Sequence, residues 1–239
     1  MTLRQALLGG RRRPRLRADG SPLNYRGDGY EFVELREYVH GDDVRRIDWA
    51  ASARSTQLQT RIYLEDVALT LAVYIDSSAS MQAGRSRSLF DAAQDAKHEW
   101  LQAALRTDRT IELDSLEEAV ALPRGSALLV VSDFFWYAPA DSAQRDLLAL
   151  LAHRLDCTAL VARDPWQDLL PFSGFVRLRD AESGDARVLF FGERERERYA
   201  AASRERERSI VGALEGYGWR AGIAEEEDGA AGLRHAFGI

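Results

Sequence analysis

Cysteine is scarce in this chain of 239 residues, which contains Cys157 alone. A lone cysteine cannot form a disulfide within the chain, so a scaffold held together by internal disulfides is excluded. No apolar run approaches the about 20 residues of a membrane-spanning helix, and no signal peptide is visible behind the basic start. We therefore expect a cytoplasmic protein without an integral membrane segment, in which Cys157 is an inert core residue.

The motifs of several catalytic and binding classes are missing as well. The sequence has no zinc-ligand spacing, no aromatic RNA-binding signature, no His-Ser-Asp order and no phosphate-binding Gly-rich loop with Lys. Its arginine-rich start over residues 1–17 favours a solvated tail over a nucleic-acid contact, so no nucleic-acid partner is expected. The histidines are scattered, which is typical of structural or exposed positions. They are His40, His98, His153 and His235.

The composition is that of an ordinary soluble globular protein, with 46% apolar and 29% charged residues and a net charge of −6. A chain of this length can bury a full core. Shifts in residue type along the chain predict three parts. These are a mobile basic lead over residues 1–20, a clamp segment over 21–65 and an α/β domain over 66–239.

Two apolar runs are each followed directly by an aspartate. Residues 69–75 read as a strand buried on both faces and lead into Asp76, with Ser78 and Ser80 close behind. Residues 127–132 lead in the same way into Asp133. The carboxyl ends of parallel strands are where open α/β sheets bind ligands.

The donor set at these strand ends suits a hard cation. Mg²⁺ prefers oxygen ligands, takes one or two carboxylates and keeps several waters. The alternative is that the serines at 77–80 only cap the following helix and that Asp133 caps a helix over 141–153. Asp141 is better placed for that second cap.

Periodicity predicts the remaining elements. Only residues 107–125 separate the first helix from the next strand, so we expect one short helix there, over 116–122. Alternating Glu and Arg over 193–208 indicates a solvated helix face. Other expected elements are helices over 86–106, 141–153 and 228–237, strands over 157–162 and 217–223, and a hairpin of 175–178 with 187–191. The fold class is α/β, a mostly parallel sheet covered by helices, with an irregular or β N-terminal segment.

The clamp segment is defined by paired charges near aromatic residues, without sustained helical or strand periodicity. Arg and Asp at such density suggest a hydrogen-bonded clamp that orders an irregular stretch. Tyr38, Ile47 and Trp49 are expected to be buried. The clamp candidates are Gly41, Asp42, Asp43, Arg45, Asp48, Trp49 and Arg54.

Several motifs in order carry a family resemblance: Gly-x-Gly-x-Glu-Phe, Arg-x-Tyr, Gly-Asp-Asp-x-Arg-x-Ile-Asp-Trp, then Asp-x-Ser-x-Ser-Met. This order is similar to the bacterial domain of unknown function fifty-eight, whose members carry a von Willebrand factor A-like domain with a metal-ion-dependent adhesion site (MIDAS). The resemblance implies a Rossmann-like, shortened fold. It also implies a Mg²⁺ (or Mn²⁺ or Ca²⁺) ion held directly by Ser78 and Ser80 and through water by Asp76 and Asp133.

One ligand of the resembled site has no counterpart in this sequence. The interval 107–125 normally holds more strands and a threonine ligand. Thr107 and Thr110 are the threonines available there, and neither sits in a recognisable ligand motif. The threonine ligand is therefore left unassigned, and a weaker metal site is expected.

The resemblance implies a non-catalytic interaction module whose metal is completed by a carboxylate from a client protein. Its relatives look like companions of MoxR-type AAA+ ATPases, which remodel or activate other complexes. One alternative is a metal-free scaffold that binds through the clamp and the aromatic residues 134–137. Another is a phosphoesterase with Asp76 as nucleophile, but the haloacid-dehalogenase pattern requires a second Asp where Ser78 stands.

Overall fold

The structure is a computed structural model that describes residues 2–10, 26–40, 42–55, 57–64, 69–167, 170 and 172–239. It divides into two compact units, one formed by residues 12–68 and the other by residues 1–11 together with 69–239. The helices are α1 (Leu3–Gly10), α2 (Trp49–Arg54), α3 (Leu89–Gln102), α4 (Ser142–Arg154), α5 (Glu193–Gly216) and α6 (Ala231–Phe237). The strands are β1 (Arg26–Glu37), β2 (Gln59–Leu64), β3 (Thr70–Ile75), β4 (Arg109–Leu113), β5 (Ala127–Ser132), β6 (Asp156–Ala162), β7 (Gly174–Arg179), β8 (Ala186–Phe191) and β9 (Arg220–Ala224).

The larger unit is built on a five-stranded parallel sheet in the order β4-β3-β5-β6-β9. Alternate side chains of the central strand β5 enter different cores. Leu129 and Val131 pack in the core that contains α1, α3 and α6, whereas Leu128 and Val130 pack in the core that contains α4 and α5. A strand covered on both faces must be apolar throughout, which explains the continuous apolar runs. The α/β fold class is confirmed.

Strand order places a ligand crevice at one edge of this sheet. From β3 the chain passes to β4 on one side and then to β5 on the other side. At such a reversal the loops that follow the two neighbouring strands turn away from each other. A crevice opens between these loops at the carboxyl ends of the strands, and ligands bind there in open α/β sheets. Asp76 and Asp133 directly follow these two strands.

Two parts of the larger unit differ from the sequence-based expectation. The short interval 107–125 contains an edge strand, β4, in addition to a 3-10 helix over Glu117–Ala121. The strand was missed because an edge strand with largely exposed side chains carries no apolar run. The expected mobile lead is wrong for residues 3–10, which form helix α1 with Leu3 and Leu7 buried in the core. Residues 11–20 lie outside the described part of the chain.

The second half of the larger unit adds an antiparallel hairpin and a long helix. The hairpin pairs β7 with β8, as expected, with Phe175 opposite Phe190. Helix α5 extends beyond the charged run to Gly216, and its apolar end buries Ile210 and Leu214. Within the described ranges, no helix combines the length and apolar content that crossing a membrane requires.

The smaller unit is an antiparallel pair of β1 with β2, interrupted by register shifts, together with the short helix α2. A β-containing N-terminal segment is therefore confirmed. The register shifts are typical of β-bulges, which explains why neither strand shows a clean alternation of polar and apolar residues.

A buried carboxylate holds the loop between the β3 end and α3. The side chain of Glu226, 2% exposed, accepts hydrogen bonds from the backbone N–H groups of Arg85, Ser86 and Arg87 and from the Ser86 hydroxyl. Burial alone would raise the pKa of Glu226, but these donors lower it to about 2.

We predict that Glu226→Gln lowers the free energy of unfolding at neutral pH by about 1–2 kcal/mol. Because the folded-state pKa is depressed, this contribution is present above the unfolded pKa of about 4.3 and disappears as pH falls toward about 2. Denaturant titrations of both proteins at several pH values measure the difference. Glu227→Gln, at a side chain 64% exposed, is the control. A difference that does not change with pH would contradict the assignment.

Candidate functional site

Asp76 and Asp133 lie at the same edge of the sheet because their strands are neighbours. The register pairs Ile75 with Val131, and the Asp76 backbone N–H donates to the Val131 carbonyl at 2.9 Å. Each carboxylate therefore begins one residue beyond a hydrogen-bonded strand end. The sequence-based expectation requires this placement, since carboxylates at opposite edges could not share an ion.

The Asp76 carboxylate is buried and held from two directions. One oxygen accepts the Ser132 hydroxyl at 2.6 Å, and the other accepts the Ser78 backbone N–H at 2.8 Å. The same loop brings the Ser78 and Ser80 hydroxyl oxygens within 3.1 Å of each other. Met81 behind them is fully buried and anchors the loop in the core. The loop thus gathers one carboxylate and two hydroxyls.

Asp133 carries an unsatisfied buried oxygen. The residue is 3% exposed, and its Oδ1 accepts the Phe135 backbone N–H at 2.9 Å. Its Oδ2 is buried without a hydrogen-bond partner among the described residues. The Ser80 hydroxyl lies close enough to this carboxylate to lower its pKa. Leaving a carboxylate oxygen in this state is costly, so the site favours a ligand that can satisfy it.

Electrostatics at Asp133 agree with this geometry. Burial raises the pKa of Asp133, and the neighbouring Asp76 carboxylate acts in the same direction. Ser80, the Phe135 N–H and Arg206 act in the opposite direction. A cation beside Asp133 would offset the two effects that raise its pKa.

A strained residue and an arginine shape the loop after Asp133. Phe134 has φ 54°, a positive value that bulky residues rarely adopt. The Arg206 guanidinium, from α5, donates to the Asp133 carbonyl at 3.1 Å and the Phe134 carbonyl at 2.8 Å. It also lies 3.9 Å over the Phe135 ring. Arg206 therefore positions the backbone that carries Asp133.

A cavity of about 610 Å³ opens beside Ser80 and Asp133. Its walls come from the strand ends, the β7–β8 hairpin and α5. This volume lies within the usual range for ligand sites. Apolar, cationic and acidic side chains line it, among them Leu89, Phe135, Trp166, Arg163, Arg206 and Glu207.

The donor set at the strand ends fits a hard divalent cation. In the described residues no group of three or more His, Cys, Asp or Glu side chains could hold a metal. The strand-end set is of a different kind, with two carboxylates and two hydroxyls, and all its donors are oxygen. Oxygen donors with few negative charges suit Mg²⁺ or Mn²⁺ rather than zinc. Such an ion, or its water, would satisfy the buried Asp133 Oδ2, which has no hydrogen-bond partner among the described residues.

The threonines considered from the sequence are in the wrong place for this site. Thr107 precedes β4 and Thr110 lies in its first half. Because β4 runs parallel to β3, both lie toward the amino ends of the strands. Asp76 and Asp133 follow the carboxyl ends. Neither threonine joins the site.

The clamp residues lie in the smaller unit, where several carboxylates organise the backbone. Both carboxylate oxygens of Asp42 accept from Nη2 of Arg36, at 2.7 and 2.8 Å. Asp43 caps a 3-10 helix over Val44–Arg46 and pairs with Arg45 at 3.1 Å. Hydrogen bonds to Arg45 lower the pKa of Asp43.

Asp48 likewise caps helix α2 and pairs with an arginine. It accepts the Ala51 N–H at 2.9 Å and pairs with Arg61 at 3.0 Å, and the Ala51 N–H and Arg61 lower its pKa. Arg54 is exposed at the end of α2, and Gly41 lies outside the described residues.

Burial in the smaller unit corrects one expectation. Ile47 is buried, as expected, and Tyr38 is half-buried. Trp49, expected to be buried, is 67% exposed in this structure. It is the first residue of helix α2, which has six residues.

Sequence reasoning missed three residues of the candidate site. Ser132 is the last residue of an apolar strand, and Glu182, whose carboxylate accepts the Ser80 backbone N–H, lies 102 positions from its partner. Arg206 is one of many arginines in the alternating charged run of α5. None of them carries a local signal, since each acts through a contact that only the fold creates.

Comparison with known proteins identifies the family. Residues 34–104 and 91–209 match the family model described as protein of unknown function DUF58. The uncharacterised protein Rv1480 of Mycobacterium tuberculosis and the uncharacterised protein Mb1516 of Mycobacterium bovis are each 28% identical over 242 residues. Each match covers 80% of this chain and 73% of the relative.

Among solved structures, the crystal structure of the conserved hypothetical protein BatB from Bacteroides thetaiotaomicron matches at 12% identity with a TM-score of 0.28. The match covers 63% of this chain and 99% of that one, and a similarity this low supports no argument. The family match covers residues 34–65 of the clamp segment, both aspartates of the site and α5 as far as residue 209. This chain therefore belongs to the DUF58 family of proteins of unknown function.

Proposed function

We propose that this protein is a non-catalytic interaction module that binds its partner through a divalent cation of MIDAS type. One observation carries the proposal: the buried Asp133 oxygen without a partner, at the same edge as Asp76 and two serine hydroxyls. A protein seldom leaves a buried carboxylate oxygen unsatisfied. A hydrated Mg²⁺ ion at this place would satisfy it.

In this proposal each side chain has a distinct part. Ser78 and Ser80 would hold the cation directly, and Asp76 and Asp133 would hold it through water. The bound ion would supply Lewis acidity that attracts one more oxygen anion, because the direct protein ligands are neutral. A carboxylate of a client protein would complete the coordination. The expected absence of the threonine ligand makes the site weak when no partner is bound.

The chain's own residues prepare this site before the ion arrives. Ser132 and the Ser78 amide orient Asp76, while Arg206 fixes the backbone on either side of the strained Phe134. Preorganised ligands lose less conformational entropy when they bind. No covalent bond is made or broken, and the second aspartate that a phosphoesterase of the haloacid-dehalogenase pattern would need is replaced by Ser78.

We further propose a cytoplasmic location and a MoxR-type AAA+ ATPase as companion, with the module presenting a client complex for assembly or activation. The support for this step is the motif order of the sequence. In this arrangement the cation joins a client carboxylate to the module, and the ATPase performs the energy-consuming step.

A metal-free scaffold is the second candidate, and the exposed face of the smaller unit favours it. Trp49 is 67% exposed and Val44 60% exposed. Exposed Trp is uncommon on a free surface and common at the energetic centre of protein interfaces. In this alternative the smaller unit binds the partner without a cation.

Metal binding tests the leading proposal directly. We predict that calorimetric titration with Mn²⁺ shows one site on the intact chain and that Asp76→Asn weakens it at least about tenfold. Asp146→Asn, an exposed change on α4, removes the same charge and should bind Mn²⁺ like the unchanged protein. Equal affinity in all three proteins would contradict the site.

Partner binding separates the two candidate functions. We predict that a MoxR-type ATPase from the same cell is retained on the immobilised protein with Mg²⁺ and released by EDTA, because the cation joins the two. Equal retention in EDTA would contradict this version. Loss of that retention in Trp49→Ala would then identify the scaffold instead.

Arg206 should affect metal binding although it contacts no metal ligand side chain. We predict that Arg206→Gln weakens Mn²⁺ binding severalfold and lowers the free energy of unfolding by about 1–2 kcal/mol, because two carbonyls lose a charged donor. Arg208→Gln, at a side chain 72% exposed on the same helix, should change stability by less than about 0.5 kcal/mol. Identical Mn²⁺ affinity in both variants would show that Arg206 supports only the fold.

A further inference from the structure

The β7–β8 hairpin has one face toward the cavity and one face outward. Burial alternates along β7, where the side chains at 175, 177 and 179 are exposed and their neighbours are half-buried. Leu178 and Leu189, which belong to the opposite face, line the cavity. Directly paired residues of antiparallel strands lie on the same face of a sheet, so the register also assigns the outward positions of β8. The outer face of the hairpin consists of Phe175, Arg177, Arg179, Ala186, Val188 and Phe190.

The centre of this outer face is apolar and exposed. Phe175 is 81% exposed, Val188 64% and Phe190 54%. The two phenylalanine rings pack near edge-to-face with their centroids 5.3 Å apart, so they form one continuous surface rather than two isolated side chains. A single exposed apolar residue is ordinary, whereas adjoining ones rimmed by polar residues are typical of interaction sites.

The charge on the outer face is positive. Its six positions include Arg177 and Arg179 and no acidic residue, in a chain whose net charge is −6. Arg177 lies opposite Val188, so its cation adjoins the apolar centre. Aromatic residues and arginine are both enriched at the cores of protein interfaces. Because partners bind with complementary charge, this face fits an acidic partner that also carries apolar side chains.

Charge argues against two other occupants of the face. A second copy of the chain would bring Arg177 of both copies into one interface, and the face supplies no acid to offset them. The turn of the same hairpin carries Asp180, Glu182 and Asp185, and an anionic bilayer lying flat on the hairpin would be repelled there. A short acidic segment can lie across Arg177 without approaching that turn.

We propose that the outer face of the β7–β8 hairpin binds an acidic protein segment with apolar anchors. Phe175 and Phe190 contact the apolar side chains of the segment, and Arg177 pairs with one of its carboxylates. The inference goes beyond the proposed function, because this contact needs no divalent cation and uses none of the residues at the strand ends. The hairpin thereby adds a second contact surface beside the cavity that its inner face lines.

Fluorescence anisotropy of a short labelled peptide, with Leu anchors spaced by Glu, tests the proposal on the full chain in EDTA. We expect saturable binding that weakens about tenfold when Lys replaces the Glu residues or Ser replaces the Leu residues of the peptide. Phe175→Ser and Arg177→Glu should each weaken binding of the original peptide about tenfold. Arg177→Glu should in turn bind the Lys peptide more tightly than the unchanged protein does.

Matched controls come from exposed positions on other elements. Leu150→Ser, at a residue 42% exposed on α4, and Arg208→Glu, at a side chain 72% exposed on α5, should change the affinity less than twofold. Equal losses in Leu150→Ser and Phe175→Ser, or no saturable binding of the peptide, would overturn the proposal.

Two further results would assign the face to another occupant and so overturn the proposal. One is a dimer in sedimentation velocity that Phe175→Ser abolishes, without peptide binding, which would identify a second copy of the chain. The other is cosedimentation with phosphatidylserine vesicles, again without peptide binding, which would identify a lipid surface. Since every measurement is made in EDTA, each of these failures leaves the proposed cation site standing, and loss of Mn²⁺ binding would leave the hairpin contact standing.

Discussion

The site depends on the hydrogen-bonded pairing of β3 with β5. Because these two strands are parallel neighbours, their carboxyl ends reach the same edge, and the bond from the Asp76 N–H to the Val131 carbonyl continues the ladder into the loop. Both strands are apolar along their length and covered on both faces, so a slide by one residue would carry each side chain into the opposite core. The register that fills two cores thereby fixes the relation of the two aspartates.

Local polar contacts then orient the two aspartates at the carboxyl ends of β3 and β5. Ser132 orients Asp76 from the neighbouring strand, while Arg206 holds the carbonyls around the strained Phe134 and so determines where Asp133 points. Among the described residues, the Asp133 Oδ2 remains buried without a hydrogen-bond partner. Leaving a buried carboxylate oxygen unsatisfied is costly, and the proposed cation or its water would satisfy it.

The sequence predicted the elements that are apolar throughout or strongly periodic. Strands β3 and β5, helix α4 with its Asp141 cap and the β7–β8 hairpin all follow from patterns that burial imposes on a single segment. The edge strand β4 was missed because its side chains are largely exposed, and the exposure of Trp49 was missed because a residue type does not determine which surface covers it. Arg206 and Glu182 were missed since their roles arise from contacts between distant segments, with partners about 70 and 102 positions away.

The central claim is that one divalent cation is shared by the two strand ends. Crystals of the full chain grown with Mn²⁺, with anomalous diffraction recorded at the manganese edge, measure its position most directly. The account predicts a single strong anomalous peak beside the Ser78 and Ser80 hydroxyls, with Asp76 and Asp133 joined to it directly or through one water. Fully occupied Mn²⁺ at another place, with these four side chains unchanged and without an ion, would contradict it.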